Sequence, residues 1–254
     1  MIAVPEHIAQ ARTIEGLCPA LPWSSFADFF TSRIVDRNLS HRPYLIYRDE
    51  DSAAHRTYTY AQFGSVVRET AAFLRDDAGL RRGDRLATVL FNHDLTVILY
   101  FAAWVSGVTV VPINVEESQE KKRFILEHSE AAAVCCWHSD LDELTDLQGE
   151  LPSLRRVIAV GKDGMLQTRA HRTNGETQSR PFTSNASAHS GSMDDEALIV
   201  YTSGTTGPPK GVVLTIANLL LDADAKHIAS AQGELTVPKS PGSPAGRAAS
   251  PCAR

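Results

Sequence analysis

The sequence has no surplus of positive charge. Lys and Arg number 25 against 30 Asp and Glu, a formal net charge of −5. Without a basic excess to neutralise phosphates, nucleic acid is a poor partner for this chain. Cysteine is sparse: Cys18, Cys135, Cys136 and Cys252 form no CxxC and no Cys/His ligand spacing. That argues against a zinc site and against a disulfide scaffold, and it fits a reducing cytosol, hence a cytoplasmic protein. The nine histidines include no HExxH pair. Residues Met1 to Leu17 lack the cationic start and apolar core of a signal peptide. One uncharged run, Leu95 to Val115, is long enough to cross a bilayer, but Ser106-Gly107 and Pro112 interrupt it. It divides into a helix over Asp94 to Ser106, a C-cap at Gly107 and a buried strand over Val108 to Ile113, so no transmembrane segment is expected.

What is present is an ordinary apolar content, 43% of 254 residues, enough for one large α/β domain or two small ones. A first helix starts near Ser24 and carries Phe26, Phe29, Phe30 and Ile34 on one face. Tyr44 to Tyr47 and the region of Thr57-Tyr58 predict two short strands. Thr59-Tyr60-Ala61-Gln62 has the spacing of a capping box; the helix it opens turns Phe63, Val66, Val67, Thr70, Ala71 and Leu74 inward, and Gly79 can end it. Gly83-Asp84 turns into a strand over Leu86 to Leu90. Ser118 opens a helix with Phe124, Ile125 and His128, and Ala131 to Trp137 and Arg156 to Val160 predict two more buried strands. Alternating helices and short apolar strands argue for a layered α/β fold, a mostly parallel β-sheet with flanking helices.

Two stretches break this rhythm. Residues 161–193 are rich in Ser, Thr, Asn, Gly and Gln and predict a surface connection. Residues 231–254 are dominated by Ala, Pro, Gly and Ser, with only Leu235 and Val237 able to serve a core, and predict a disordered tail. The expected organisation is therefore an extension over 1–21, a domain over 22–230 and the tail over 231–254.

Chemistry concentrates in Tyr201-Thr202-Ser203-Gly204-Thr205-Thr206-Gly207-Pro208-Pro209-Lys210-Gly211. Leu198 to Tyr201 predicts a strand feeding this loop. Gly204 and Gly207 permit close backbone approach, and successive N–H groups in such a turn form an anion-binding nest. Ser203, Thr205 and Thr206 add hydroxyl donors, and Lys210 adds a positive charge for a polyphosphate. A Walker loop is excluded, because Gly211-Val212-Val213 after Lys210 predicts a second strand rather than a helix. Thr215 then caps a helix from about Ile216 to Ala229.

Tyr201 to Gly211 resembles the signature loop of the adenylate-forming (AMP-binding) superfamily: acyl-CoA synthetases, peptide-synthetase adenylation domains and firefly-luciferase-like enzymes. Tyr58-Thr59-Tyr60, Gly83-Asp84-Arg85, Phe91-Asn92, Gly107 to Asn114 and Phe124 to Glu130 are similar to family landmarks in the same order. The resemblance covers roughly 22–230 and implies an incomplete N-terminal domain of an acyl-CoA synthetase-like fold. It implies ATP, Mg²⁺ and coenzyme A, with a small-molecule carboxylate such as a fatty acid activated as an acyl-adenylate and then passed to the thiol. By the same resemblance, Thr202, Ser203, Gly204, Thr205, Thr206, Gly207 and Lys210 hold the phosphates and stabilise charge as pyrophosphate departs.

Departures bear on this expectation. The family commonly places His after the Leu-Thr pair, where this chain has Ile216. Complete members are much longer, and no Tyr-Gly-x-Thr-Glu or Thr-Gly-Asp segment follows Gly211. A chain inactive by itself is expected, and a second chain supplying the missing half is one way to activity. Two alternatives stand: a non-catalytic truncated product that binds phosphate or a partner, and a fragment of a peptide-synthetase-type adenylation domain. No catalytic residue and no metal ligand is assigned. Asp194-Asp195-Glu196 predicts a solvated acidic turn, His128 a packing or capping residue, and Trp23, Trp104 and Trp137 core edges.

Overall fold

The computed structural model describes residues 21–48, 55–161, 166–170, 191–202 and 209–221. Cys18, Cys252, the 1–20 segment and the 231–254 tail lie outside them. Helix α1 (Phe26–Ile34) is capped by Ser25 rather than Ser24: Asp28 N donates to Ser25 Oγ, while Ser24 bonds the Asp28 carboxylate. Strands β1 (Pro43–Arg48) and β2 (His55–Thr59) pair antiparallel as a separate two-stranded sheet. Helix α2 (Tyr60–Asp76) opens on the expected capping box, with Gln62 N donating to Thr59 Oγ1 and Thr59 N to Gln62 Oε1.

The main unit runs β3 (Arg85–Val89), α3 (Asp94–Val105), β4 (Thr109–Ile113), α4 (Gln119–His128), β5 (Ala133–Trp137), α5 (Leu141–Glu150), β6 (Arg156–Val160), β7 (Leu166–Ala170), β8 (Glu196–Thr202) and β9 (Lys210–Thr215). Among the described residues these strands form a seven-stranded sheet in the order β7-β6-β5-β3-β4-β8-β9. Its inner pairs, β6/β5, β5/β3, β3/β4 and β4/β8, are parallel, and β7 and β9 close the two edges antiparallel. The expected mostly parallel, helix-flanked sheet is what the chain builds.

Period-two side chains divide between two apolar layers. Leu86, Val110, Cys135 and Ile158 face α1, α2 and α3; Ala87, Val111, Cys136 and Val157 face α4 and α5. The adjacent Cys135 and Cys136 thus point to opposite sides of β5 as buried free thiols, and burial pushes both thiols up, Cys136 to about 12.

Helix α3 accounts for the uncharged run. It is apolar on most sides because it lies between the sheet and the other helices, where Phe101 meets Phe26, Phe30, Phe63 and Tyr44 with centroids 5.1–5.9 Å away. Gly107 then turns the chain into β4 at φ +69°, and a Cβ there would stand 2.8 Å from Arg82 Cγ. No helix among the described residues is long and apolar enough to cross a membrane.

Three expectations change. Helix α5 was not foreseen; it starts from a short 3₁₀ turn, His138–Asp140, and buries Leu141, Leu144 and Leu147. Within the 161–193 stretch, residues 166–170 form β7, because the exposed ladder of β6 accepts one more strand. Asp194-Asp195-Glu196 is not merely solvated. Arg82 donates twice to Asp195 (2.7 and 3.1 Å) and Arg85 once to Glu196 (3.3 Å), tying the start of β8 to the N-terminal edge of the sheet.

Candidate functional site

The parallel strands β3, β4, β5 and β8 finish at one edge of the sheet. Strands β4 and β5 lie on opposite sides of β3, so the connections leaving that edge diverge, the arrangement at which open α/β sheets accept ligands. The β8–β9 hairpin opens on the same edge. Its ladder includes Ile199↔Val213, Val200↔Val212, Tyr201↔Gly211 and Thr202↔Lys210. Strands β8 and β9 thus pair as the two strands expected on either side of the loop, whose residues 203–208 lie outside the described residues.

Of the expected phosphate-loop residues, the structure places Thr202 and Lys210 side by side as the last cross-strand pair, both exposed. Ser203, Gly204, Thr205, Thr206 and Gly207 lie outside the described residues. The Lys210 side chain is exposed at the start of β9. No group of three or more His, Cys, Asp or Glu able to hold a metal occurs among the described residues.

Strand β8 is joined to β4 by the register pair Val110↔Leu198. Side chains supply much of the rest of the attachment. Trp104 Nε1 donates to Ala197 O at 2.9 Å, and Thr109 Oγ1 donates to Glu196 O at 3.0 Å. Toward the loop, Tyr201 takes over: its hydroxyl lies 2.7 Å from His128 Nδ1 on α4. Burial raises the Tyr201 phenol to about 12, against an opposing pull from Arg85. His128 does pack, on Phe124, as expected, but its bond to Tyr201 was not foreseen. The two residues are 73 positions apart, and a single sequence carries no signal of that contact.

Trp104 sits at a core edge as expected, while Trp23 packs edge-on against Phe29 with centroids 4.9 Å apart. Trp137 also meets Phe91 and His93, with centroids 6.5 and 5.2 Å away. Ile216, where a histidine is common in the resembling family, is 2% exposed and belongs to the layer beneath α1, α2 and α3. Here that position serves packing. Thr215 caps the following helix, described over 216–221, by accepting from Asn218 N at 3.2 Å.

The profile of a family described as AMP-binding enzyme matches residues 33–238. The chain belongs to the AMP-binding enzyme family. Among curated relatives of this member, the long-chain-fatty-acid–CoA ligase FadD15 of Mycobacterium bovis is 30% identical over 194 residues, covering 76% of this chain and 32% of the relative. The 2-succinylbenzoate–CoA ligase of Bacillus licheniformis is 33% identical over 160 residues, covering 63% of this chain and 29% of the relative. The chain thus spans about a third of the length of the curated relatives it matches. Among solved structures, the o-succinylbenzoate coenzyme A synthetase MenE from Bacillus subtilis, in complex with AMP, superposes with a TM-score of 0.59 at 24% identity. The match covers 79% of this chain and 45% of that one, and it shows that this AMP-binding family member shares the fold of the MenE segment it covers.

Proposed function

We propose that Thr202, Ser203, Gly204, Thr205, Thr206, Gly207 and Lys210 form the polyphosphate loop of an ATP-dependent carboxylate–CoA ligase. The observation that carries this reading is the pairing of Thr202 with an exposed Lys210 at the mouth of a hairpin, on the ligand-accepting edge of a family-typical sheet. The chemistry fits the residues. A carboxylate is a poor acylating agent, and attack on the α-phosphate of ATP gives it a good leaving group. The Lys210 ammonium and the Thr202 hydroxyl would bind the β- and γ-phosphates, and backbone N–H groups would complete an electrostatic cradle with no covalent enzyme intermediate. Mg²⁺ would come with the nucleotide. The names of curated relatives such as FadD15 and the 2-succinylbenzoate–CoA ligase support coenzyme A as the acceptor over a carrier protein. A small carboxylic acid is the substrate class. A cytoplasmic setting agrees with the buried unpaired thiols Cys135 and Cys136.

These 254 residues supply the phosphate end of the reaction and do not complete it alone, since nothing in them is assigned to the nucleoside or the thiol. Calorimetry tests this division. Tripolyphosphate and MgATP should bind the chain, and Lys210→Ala should weaken both by about tenfold or more, the equivalent of one charge-assisted hydrogen bond. ATP–pyrophosphate exchange should be absent. Equal binding by Lys210→Ala would overturn the loop assignment. Exchange by the chain alone would overturn the division of labour.

A further inference from the structure

Tyr201 does more than end a strand. Its ring lies across Gly211 on β9: a Cβ at Gly211 would stand 3.1 Å from Tyr201 Cζ and 3.0 Å from Ile199 Cγ2. A side chain at the position after Lys210 would crowd the aromatic ring over it. Because Tyr201↔Gly211 is the pair directly behind Thr202↔Lys210, the ring braces both feet of the loop. Its hydroxyl then leaves the hairpin and meets His128 Nδ1 at 2.7 Å. His128, exposed on α4, stacks on Phe124 one turn earlier at 5.4 Å and 20° and stands edge-on to Tyr201 at 5.7 Å and 84°. Among the described residues the β4–β8 ladder is Val110↔Leu198 alone, four positions before Thr202. The Tyr201–His128 bond therefore tethers the loop's root to a helix of the main α/β unit.

We propose that His128 is a positioning residue for Lys210: through the Tyr201 hydroxyl it holds the ring over Gly211, and the ring fixes the direction in which the hairpin presents the Lys210 ammonium. The inference rests on the phosphate-loop reading of the hairpin and adds to it a residue from a distant helix. The bond survives in either imidazole tautomer, because a neutral phenol both donates and accepts.

The test is calorimetric titration of inorganic tripolyphosphate into the full chain and its variants, with melting temperatures recorded alongside. His128→Leu and Tyr201→Phe should each weaken binding about threefold to tenfold, the range of one neutral hydrogen bond. The double variant should be no weaker than either single one, since both remove the same link. His128→Asn places an amide near the Nδ1 position, with a donor and an acceptor, and should restore most of the affinity that His128→Leu loses. A structural role alone would lower melting temperatures and leave affinity unchanged, or give singles whose losses multiply. Either result overturns the inference. Should His128→Leu fail to fold, Tyr201→Phe and His128→Asn decide: unchanged affinity in Tyr201→Phe overturns it, and so does a His128→Asn no better than Tyr201→Phe. Lys210→Ala separates the two levels. If it binds like the parent chain, the phosphate-loop reading itself fails; if it binds weakly while the His128 and Tyr201 variants do not, only the positioning role fails.

Discussion

Replacing Asp94 with alanine is expected to cost the fold about 3 kcal/mol, toward the low end for breaking a buried charged pair. Asp94 is 2% exposed, the most deeply buried carboxylate among the described residues. It accepts from Tyr58 Oη at 2.7 Å and from Arg56 Nε at 2.9 Å, both on β2. Those two contacts fall on Oδ2; Oδ1 accepts from Leu95 N at 2.9 Å and lies 2.7 Å from His93 Nδ1. A carboxylate in the first turn of α3 also meets the positive end of the helix. Alanine leaves the Tyr58 hydroxyl without its acceptor and removes the joint between the β1–β2 sheet and the main unit. Arg56 is half exposed and regains water, which keeps the loss below that of a fully buried pair. Urea unfolding measures the cost. Native-state hydrogen exchange should show protection lost first in Pro43–Arg48 and His55–Thr59, with β3 to β6 spared. A cost under about 1 kcal/mol, or uniform loss of protection, would show that the joint is unimportant.

Alkali should unfold the protein between pH 10 and 12. Four of the six tyrosines hold their protons above the ordinary phenol value of 10. Burial pushes Tyr44 to about 12, with Tyr60 adding to it; the ring lies 4.4 Å from Phe63 and 4.9 Å from Tyr60. Burial and the bond to Asp94 raise Tyr58 to about 12. Burial raises Tyr201 to about 12, and it raises Tyr100 against an opposing bond from Thr88. The sign follows from proton counting. Above pH 10 the unfolded chain sheds phenolic protons that the native state retains, so the native state binds more protons and stability falls as pH rises. This contribution is intact below pH 10 and gone past about 12. The buried Cys135 and Cys136 thiols act in the same direction. Tyrosinate absorbance and far-UV dichroism followed together should change in one cooperative step. Tyrosines that ionise near pH 10 with the dichroism intact would contradict this.

Local features were legible because neighbouring residues carry them. The Thr59–Gln62 capping box, the Ser118 cap and the buried strand Arg156–Val160 each rest on residues a few positions apart. The paired strands β8 and β9 were legible for the same reason, since their apolar runs Leu198 to Tyr201 and Val212-Val213 stand close together in sequence. Helix α5 was not, because no side-chain cap announces its start and its entry is a 3₁₀ turn rather than an extended Ser or Thr. Strand β7 has weak strand chemistry in Leu-Gln-Thr-Arg-Ala and owes its form to the waiting edge of β6, which is tertiary information. The cap expected near Ser24 falls on its neighbour Ser25, because Asp28 N donates to the Ser25 hydroxyl. The His128–Tyr201 link depends on how α4 lies over β8, and no periodicity encodes that.

If the β8–β9 hairpin presents a cradle for a polyphosphate, its backbone must respond to one. Backbone amide resonances of the isotopically labelled chain, followed while inorganic tripolyphosphate is added, address it most directly. Shifts should concentrate between Thr202 and Gly211, saturate together and be absent in Lys210→Ala. Shifts scattered over surface lysines and arginines elsewhere, with the hairpin amides unmoved, would contradict it.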